Sequence, residues 1–387
     1  MNKNVKILET ALFISLTMTF VIANTYINGG NISNNGYYII SLWIILAFVV
    51  IIINNFKIIN SNKSECLAIG FRYSFIPKMV IYIYTIILIL LGLTDKEYFS
   101  SNLQTFINGL TAVAVFYLVG NKALKVSIYA VIAAYLILLL KCLFSGNSLE
   151  FNDLAFSVGY IVIYMINVRK KWRLKVLFVD LLILIMILLA GKRIGIFALI
   201  IAVLWLKISS KFDKKIYKKI MIISATLIST IALVFIYFAL SPQWMKLIDS
   251  LGIDLSGRDY YYSVMSDHAH FGIDFIGLGR NACQYIISHE YQYFHIGNIH
   301  SDILRMYIEC GMVLFIIWLG YYLFIEPFII LKSYGTKAAC FLFSITIYTF
   351  IVYFTDNTEL YLMNNYFYIL TFLTFLYREK SNLKINI

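Results

Sequence analysis

The sequence predicts an all-α polytopic membrane protein with about twelve transmembrane helices and one large extracytoplasmic loop between the ninth and the tenth. Three observations lead there. Hydrophobic residues fill 61% of the 387 positions and charged residues only 13%, more apolar surface than a soluble core can bury. Apolar runs of about spanning length recur along the chain, and residues 241–303 form the one long interval without such a run. Basic residues collect in alternate connections.

The runs, in order, cover 8–27, 37–55, 78–94, 105–120, 126–143, 154–168, 176–191, 193–207, 219–240, 304–331, 338–354 and 364–378. The first holds an apolar stretch from Ala11 to Ile27, long for a signal peptide and not followed by a small-residue cleavage site. It is expected to stay as a helix. With the N-terminus cytoplasmic, the inward connections and both termini hold 24 of the 32 basic residues, Arg72 and Lys78 among them. The outward side holds the other eight, which fixes the orientation by the positive-inside rule. The chain divides into a bundle over 1–240, an extracytoplasmic loop over 241–303, and the last three helices with a cytoplasmic tail over 304–387. The formal charge of +12 therefore marks orientation and not nucleic-acid binding. The five cysteines, Cys66, Cys142, Cys283, Cys310 and Cys340, lack paired spacing, so neither a disulfide framework nor a zinc site is indicated.

All five histidines fall within the long loop and its end: His268, His270, His289, His295 and His300. From Ser241 to Asp302 the loop carries Lys246, Arg258 and Arg280 against seven acids, a net of −4, so its arginines are not part of a diffuse basic surface. Such an arginine is either paired structurally, as Arg258 could be with Asp259, or reserved for an anionic ligand. Arg193 follows Gly191 and Lys192 in a tight turn at the outer end of two spans, where orientation is better served without a basic pair. It either snorkels to lipid headgroups or binds phosphate, which a guanidinium grips in a bidentate fashion.

His300 opens the strongest local pattern. Ser301 or Asp302 can cap the helix that follows. Asp302, Arg305 and Glu309 share one face of it, and a face that enters the membrane must point into the bundle or a wet cavity. The bland alternative is an Arg305–Glu309 pair that satisfies itself. Gly311 predicts close approach of a neighbouring helix, and Gly277-Leu278-Gly279 reads as a turn. His268 and His270 lack convergent ligands, so no metal is expected. Asp180 and Glu326 are isolated acids, thin support for a proton pathway.

At these residues the chain resembles the O-antigen polymerase and ligase superfamily of bacterial membrane glycosyltransferases (Wzy type among them). The resemblance rests on the span count with one late outer loop, on Ser256-Gly257-Arg258, on Gly277 to Gly279, and on His300-Ser301-Asp302-Ile303-Leu304 followed by Glu309-Cys310-Gly311. Arg193 at the tip of an earlier hairpin matches as well. Ser301 stands where asparagine is common, so no role rests on an amide there.

The resemblance implies a multi-pass protein of the bacterial plasma membrane with both termini cytoplasmic. It would polymerise undecaprenyl-pyrophosphate-linked oligosaccharide repeat units into surface polysaccharide, O-antigen or capsule, on the outer face. Donor and acceptor would both be lipid-linked glycans, with no metal, nucleotide sugar or other cofactor. A chain-length regulator and a flippase are implied partners beside membrane lipid. A ligase acting on a lipid A core is the nearest alternative, and a lipid-linked oligosaccharide flippase the alternative from another class. Within the implied chemistry Arg193 and Arg258, with Arg280 third, are assigned to the pyrophosphate, whose developing charge they stabilise in place of a metal. His300 is the candidate base for the acceptor hydroxyl. Glu309 is the second catalytic candidate and Arg305 a further substrate-binding arginine, the two orienting the site. Tyr260, Tyr261, Tyr262, Tyr291 and Tyr293 either line a sugar groove or anchor at the interface.

Overall fold

The computed structural model describes residues 3–24, 40–46, 49, 61–98, 104–145, 152–168, 185–186, 192–241, 250, 257–290 and 299–385. Among the described residues every regular element is helical. The apolar helices α1 (Lys3–Asn24), α2 (Ser61–Leu90), α3 (Gln104–Val119), α4 (Ala123–Ser145), α5 (Asn152–Val168), α6 (Arg193–Ser209) and α7 (Lys214–Ala239) come first. Two short helices follow, α8 (Arg258–His268) and α9 (Ala282–Glu290). The chain then runs through α10 (Asp302–Gly320), a π-helical turn at Tyr321–Ile325, α11 (Glu326–Tyr353) and α12 (Leu362–Ile385). Most of the expected runs 176–191 and 37–55, and Asp180, Lys246, Ser256, Tyr291, Tyr293 and His295, lie outside the described residues.

Among the described residues, five continuous stretches are long and apolar enough to cross a membrane: Lys6–Asn24, Ala68–Leu90, Phe106–Phe144, Lys214–Ala239 and Asp302–Tyr353. The third and fifth, of 39 and 52 residues, exceed one crossing. At 1.5 Å per residue they reach about 58 Å and about 78 Å, against a hydrocarbon core of about 30 Å. Glycines of positive φ interrupt both: Gly120 (φ 59°) between α3 and α4, Gly311 (φ 72°) in α10 and Gly335 (φ 82°) in α11. A multi-pass bundle is the consequence.

The sorting of faces on α7 explains how such helices pack. Met221, Ala225, Ala232, Ile236 and Ala239 are buried, while Ile223, Leu227, Ile231 and Val234 are exposed at spacings of three and four. Acyl chains accept that exposed stripe, and small residues on the inner face let neighbouring helices approach closely. Asp213 starts the helix, accepting the N–H groups of Lys215 and Ile216 at 2.8 Å each. The helix α12 is the most enclosed, packed by α2, α3, α5 and α11. Asp153 of α5 caps it by accepting the N–H of Met363 at 3.1 Å and of Asn364 at 3.2 Å, which ties the ends of α5 and α12 together.

The helix α2 corrects two expectations. It begins at Ser61 and runs through Pro77, so Arg72 and Lys78 lie inside it and not in an inward connection. Lys78 Nζ is 3.3 Å from Asn365 Oδ1 and 3.9 Å from Glu359 Oε1, and Arg72 Nε is 2.7 Å from the buried Glu326 Oε1. Cations that meet a carboxylate across the bundle can stay at membrane depth, whereas hydropathy alone ends a span at them.

Candidate functional site

Two glycine turns set the end of the bundle where the loop residues gather. Gly277 and Gly279 have φ of 89° and 88°, as the expected turn requires. A Cβ on Gly277 would lie 2.6 Å from the carbonyl carbon of Cys310 and 2.8 Å from the oxygen of Glu309, so only glycine fits. The close approach expected at Gly311 comes from this turn and not from a neighbouring helix. The left-handed φ of Gly311 breaks α10 and opens its backbone to the turn: Leu278 N–H donates to Ile308 O (2.8 Å), Gly279 N–H to Glu309 O (3.0 Å) and Met312 N–H to Phe275 O (3.0 Å). Arg280 follows directly, its own N–H held by Thr85 Oγ1 of α2 at 2.9 Å.

Inside that end of the bundle lies a closed charge network. Ser301 caps α10, accepting the N–H of Leu304 at 3.2 Å, and Asp302, Arg305 and Glu309 share one face as the spacing predicts. Arg305 meets Asp302 Oδ1 at 2.6 Å, Glu359 Oε2 at 2.6 Å and Glu309 Oε2 at 3.6 Å. Arg280 meets Glu359 Oε2 at 2.8 Å and Glu309 Oε2 at 3.1 Å. With Lys78 beside Glu359, three cations face three carboxylates, and all six side chains are buried. The structure thus encloses Arg280, Arg305 and Glu309 among themselves and their partners, inside the bundle as the one-face spacing on α10 implies for Arg305 and Glu309. Burial pushes the Glu359 carboxyl up, but Arg280, Arg305 and Lys78 more than offset it and hold it below its ordinary value. Burial opposes the charge on Arg280 as well, and Glu359 and Glu309 raise its pKa above the ordinary value, net of repulsion from Arg305.

A cavity of about 30 Å³ opens beneath, lined by Lys78, Glu359, Asn364, Asn365, Tyr322 and Tyr368 among others. That is room for on the order of two waters and not for a sugar.

Above the network is an open rim. His300 is half-buried, with φ 55°, a conformation uncommon for a non-glycine residue and held only where the surroundings enforce it. Burial depresses its imidazole below the ordinary 6.5; Asp356 opposes this, and Arg258 and Lys192 add to it. These three groups therefore lie near enough to act on the charge of the ring. Tyr261 packs edge-on to it at 6.3 Å between centroids. Arg258, at the start of α8, donates to Thr355 O at 3.2 Å, and among the described residues it makes no ion pair with Asp259. Arg193, at the start of α6 beside Lys192, is exposed and makes no described hydrogen bond or ion pair. Neither α6 nor α8 has a side-chain cap at its N-terminus. A neutral imidazole beside uncommitted cations can accept a proton and hold an anion. Tyr262, a groove candidate, is buried against Phe235 instead, at 6.0 Å. His270 pairs with Asp274 Oδ2 at 3.0 Å.

The turn from Phe354 to Tyr361 joins rim to network, and sequence reasoning passed over it as an ordinary connection. Besides Thr355 O on Arg258, Asp356 O accepts the N–H of Asp302 at 3.2 Å, and Glu359 N–H donates to Asp302 Oδ2 at 2.6 Å. Its signal was legible: Asp356 and Glu359 are two acids crowded into a short turn between apolar spans. No protein-family model matches the chain, and no curated protein matches it significantly.

Proposed function

We propose that this protein is a membrane glycosyltransferase of the polysaccharide-polymerase kind, joining polyprenyl-pyrophosphate-linked repeat units at the membrane face that carries the His300 rim. In this reading the chain has about twelve spans, both termini are cytoplasmic and the 241–303 loop lies outside. The observation that carries it is the rim itself: a half-buried histidine whose charge is opposed by nearby Lys192 and Arg258, with Arg193 exposed beside Lys192, at one end of an apolar helical bundle.

The chemistry follows from those groups. Arg193, Lys192 and Arg258 hold the donor pyrophosphate, helped by the positive ends of α6 and α8. Neutral His300 takes the proton of the acceptor hydroxyl as the sugar–phosphate bond breaks, and the cations stabilise the leaving pyrophosphate. Arg280, Arg305 and Glu309 act one layer below, as positioning residues that fix the start of α10 and so the place of His300.

The test is purified protein in vesicles with lipid-linked repeat units and a chelator, products separated on a gel. A ladder of lengthening glycans is the expected result. Transfer only to a lipid A core would make the protein a ligase, and transbilayer movement of donor without any ladder would make it a flippase.

A further inference from the structure

The turn leading from α8 to Gly277 carries an apolar tip that no described residue covers. Ile273 is 80% exposed, Ile276 44% and Phe271 37%. The backbone beneath them is nonetheless firmly held. Tyr307 Oη donates to His270 O at 2.8 Å and accepts the N–H of Gly272 at 3.1 Å. Tyr84 Oη donates to Ile276 O at 2.5 Å, and the His270–Asp274 pair closes the turn from the side. A turn bonded this way cannot fold its isoleucine inward.

The surroundings of the tip identify what it meets. Phe271 packs edge-on to Tyr237 at the end of α7, at 5.5 Å, and Tyr237 is itself 53% exposed. Phe275 is bonded to Met312, one residue before Val313, which begins the exposed stripe Val313, Ile316, Ile317 of α10. Ile276 is tied to α2 beside its exposed Ile83 and Ile87. The tip is thus continuous with the exposed apolar surfaces of three helices, near the ends of α7 and α2 and just past the Gly311 break of α10. Residues 269–279 contain no lysine or arginine, and Tyr84, Tyr237 and Tyr307 of the neighbouring helices contact them, as suits the headgroup boundary.

We propose that residues 271–276 form an interfacial wedge, burying Phe271, Ile273 and Ile276 at the headgroup–acyl boundary of the leaflet on the His300 side. The partner is the phospholipid bilayer and not another protein. Because the same turn bonds to Ile308, Glu309 and Met312 across the Gly311 break, the wedge sets the depth at which that break and Arg280 sit. The inference does not depend on the proposed reaction.

The test is a nitroxide label on Ile273→Cys in a Cys142→Ala background, the other native cysteines being buried. The protein is reconstituted in phosphatidylcholine vesicles, with Asp267→Cys on the exposed face of α8 as the aqueous control. At 273 collisions with oxygen should exceed those with a water-soluble nickel chelate several-fold, and at 267 the order should reverse. Equal access of the chelate to both positions would overturn the wedge. A label at 273 shielded from both reagents would also overturn it, because a protein surface would then be covering the tip. Ile276→Cys reads the same boundary should the first variant fail to reconstitute.

Discussion

Arg258 and Arg305 are the same side chain in two surroundings. Around Arg305 stand Asp302, Glu309 and Glu359, all buried, and its guanidinium is fully engaged. Around Arg258 stand a backbone carbonyl and His300, with Asp356 acting on that ring from the other side of its charge balance. The comparison teaches that an arginine at a membrane end is a ligand-binding group only where carboxylates do not already hold it. A buried ion pair fixes geometry, and breaking it leaves an uncompensated charge. An exposed cation stabilises the fold little and is free to meet an anion.

The comparison breaks first at His300. His300→Ala should lower glycan transfer by about 10²–10⁴-fold, the range for one acid–base group, while binding of lipid-linked donor persists on the arginines. Transfer and donor binding measured on the same membranes check this. Long chains made by the variant would reduce His300 to a structural residue at the start of α10.

On the other side of the comparison, Glu359→Gln should destabilise the protein by about 3–5 kcal/mol, because Arg280 and Arg305 lose a shared partner. Thermal unfolding in detergent reads it as a lowered midpoint. The sign with pH follows from the depressed Glu359 pKa: the wild-type contribution is fully present above the ordinary 4.5 and is lost only as pH falls further, through the folded value. The wild-type advantage over Glu359→Gln should therefore hold between pH 5 and pH 8, which are test conditions spanning about the neutral range.

Arg193→Ala and Arg258→Ala should each slow transfer about 30-fold or more, equivalent to about 2 kcal/mol or above, at matched protein levels and with unchanged unfolding midpoints. Lysine should restore only part, since it lacks the bidentate fork. Wild-type rates in both alanine variants would remove the rim from donor binding.

The smallest effect sharpens the electrostatics. With the His300 pKa depressed, the base form persists below pH 6.5, so the rate should decline only on the acid side of that value. Asp356→Asn removes the anion opposing the depression and should move the acid limb to lower pH. Lys192→Ala removes a cation adding to it and should move the limb higher. A rate–pH profile of each variant tests the two directions together.

Much of this protein follows from the order of its residues alone. Apolar runs longer than a soluble core tolerates made it a helical membrane protein, and Asp302, Arg305 and Glu309 at three- and four-residue spacing put their charges on one helix face. Gly277 and Gly279 announced their turn, and Ser301 its cap. Which arginine was free and which was held could only be decided in three dimensions. Glu359 lies 54 positions from Arg305 and 79 from Arg280, yet its one oxygen serves both. Lys78 looked like the edge of a span because hydropathy counts its charge without its partner. Spacing along a helix reports which side chains share a face, since the backbone repeat sets that. Whether a charge in the bilayer is matched depends on a carboxylate from another helix, and that helix is brought near by packing across the whole bundle.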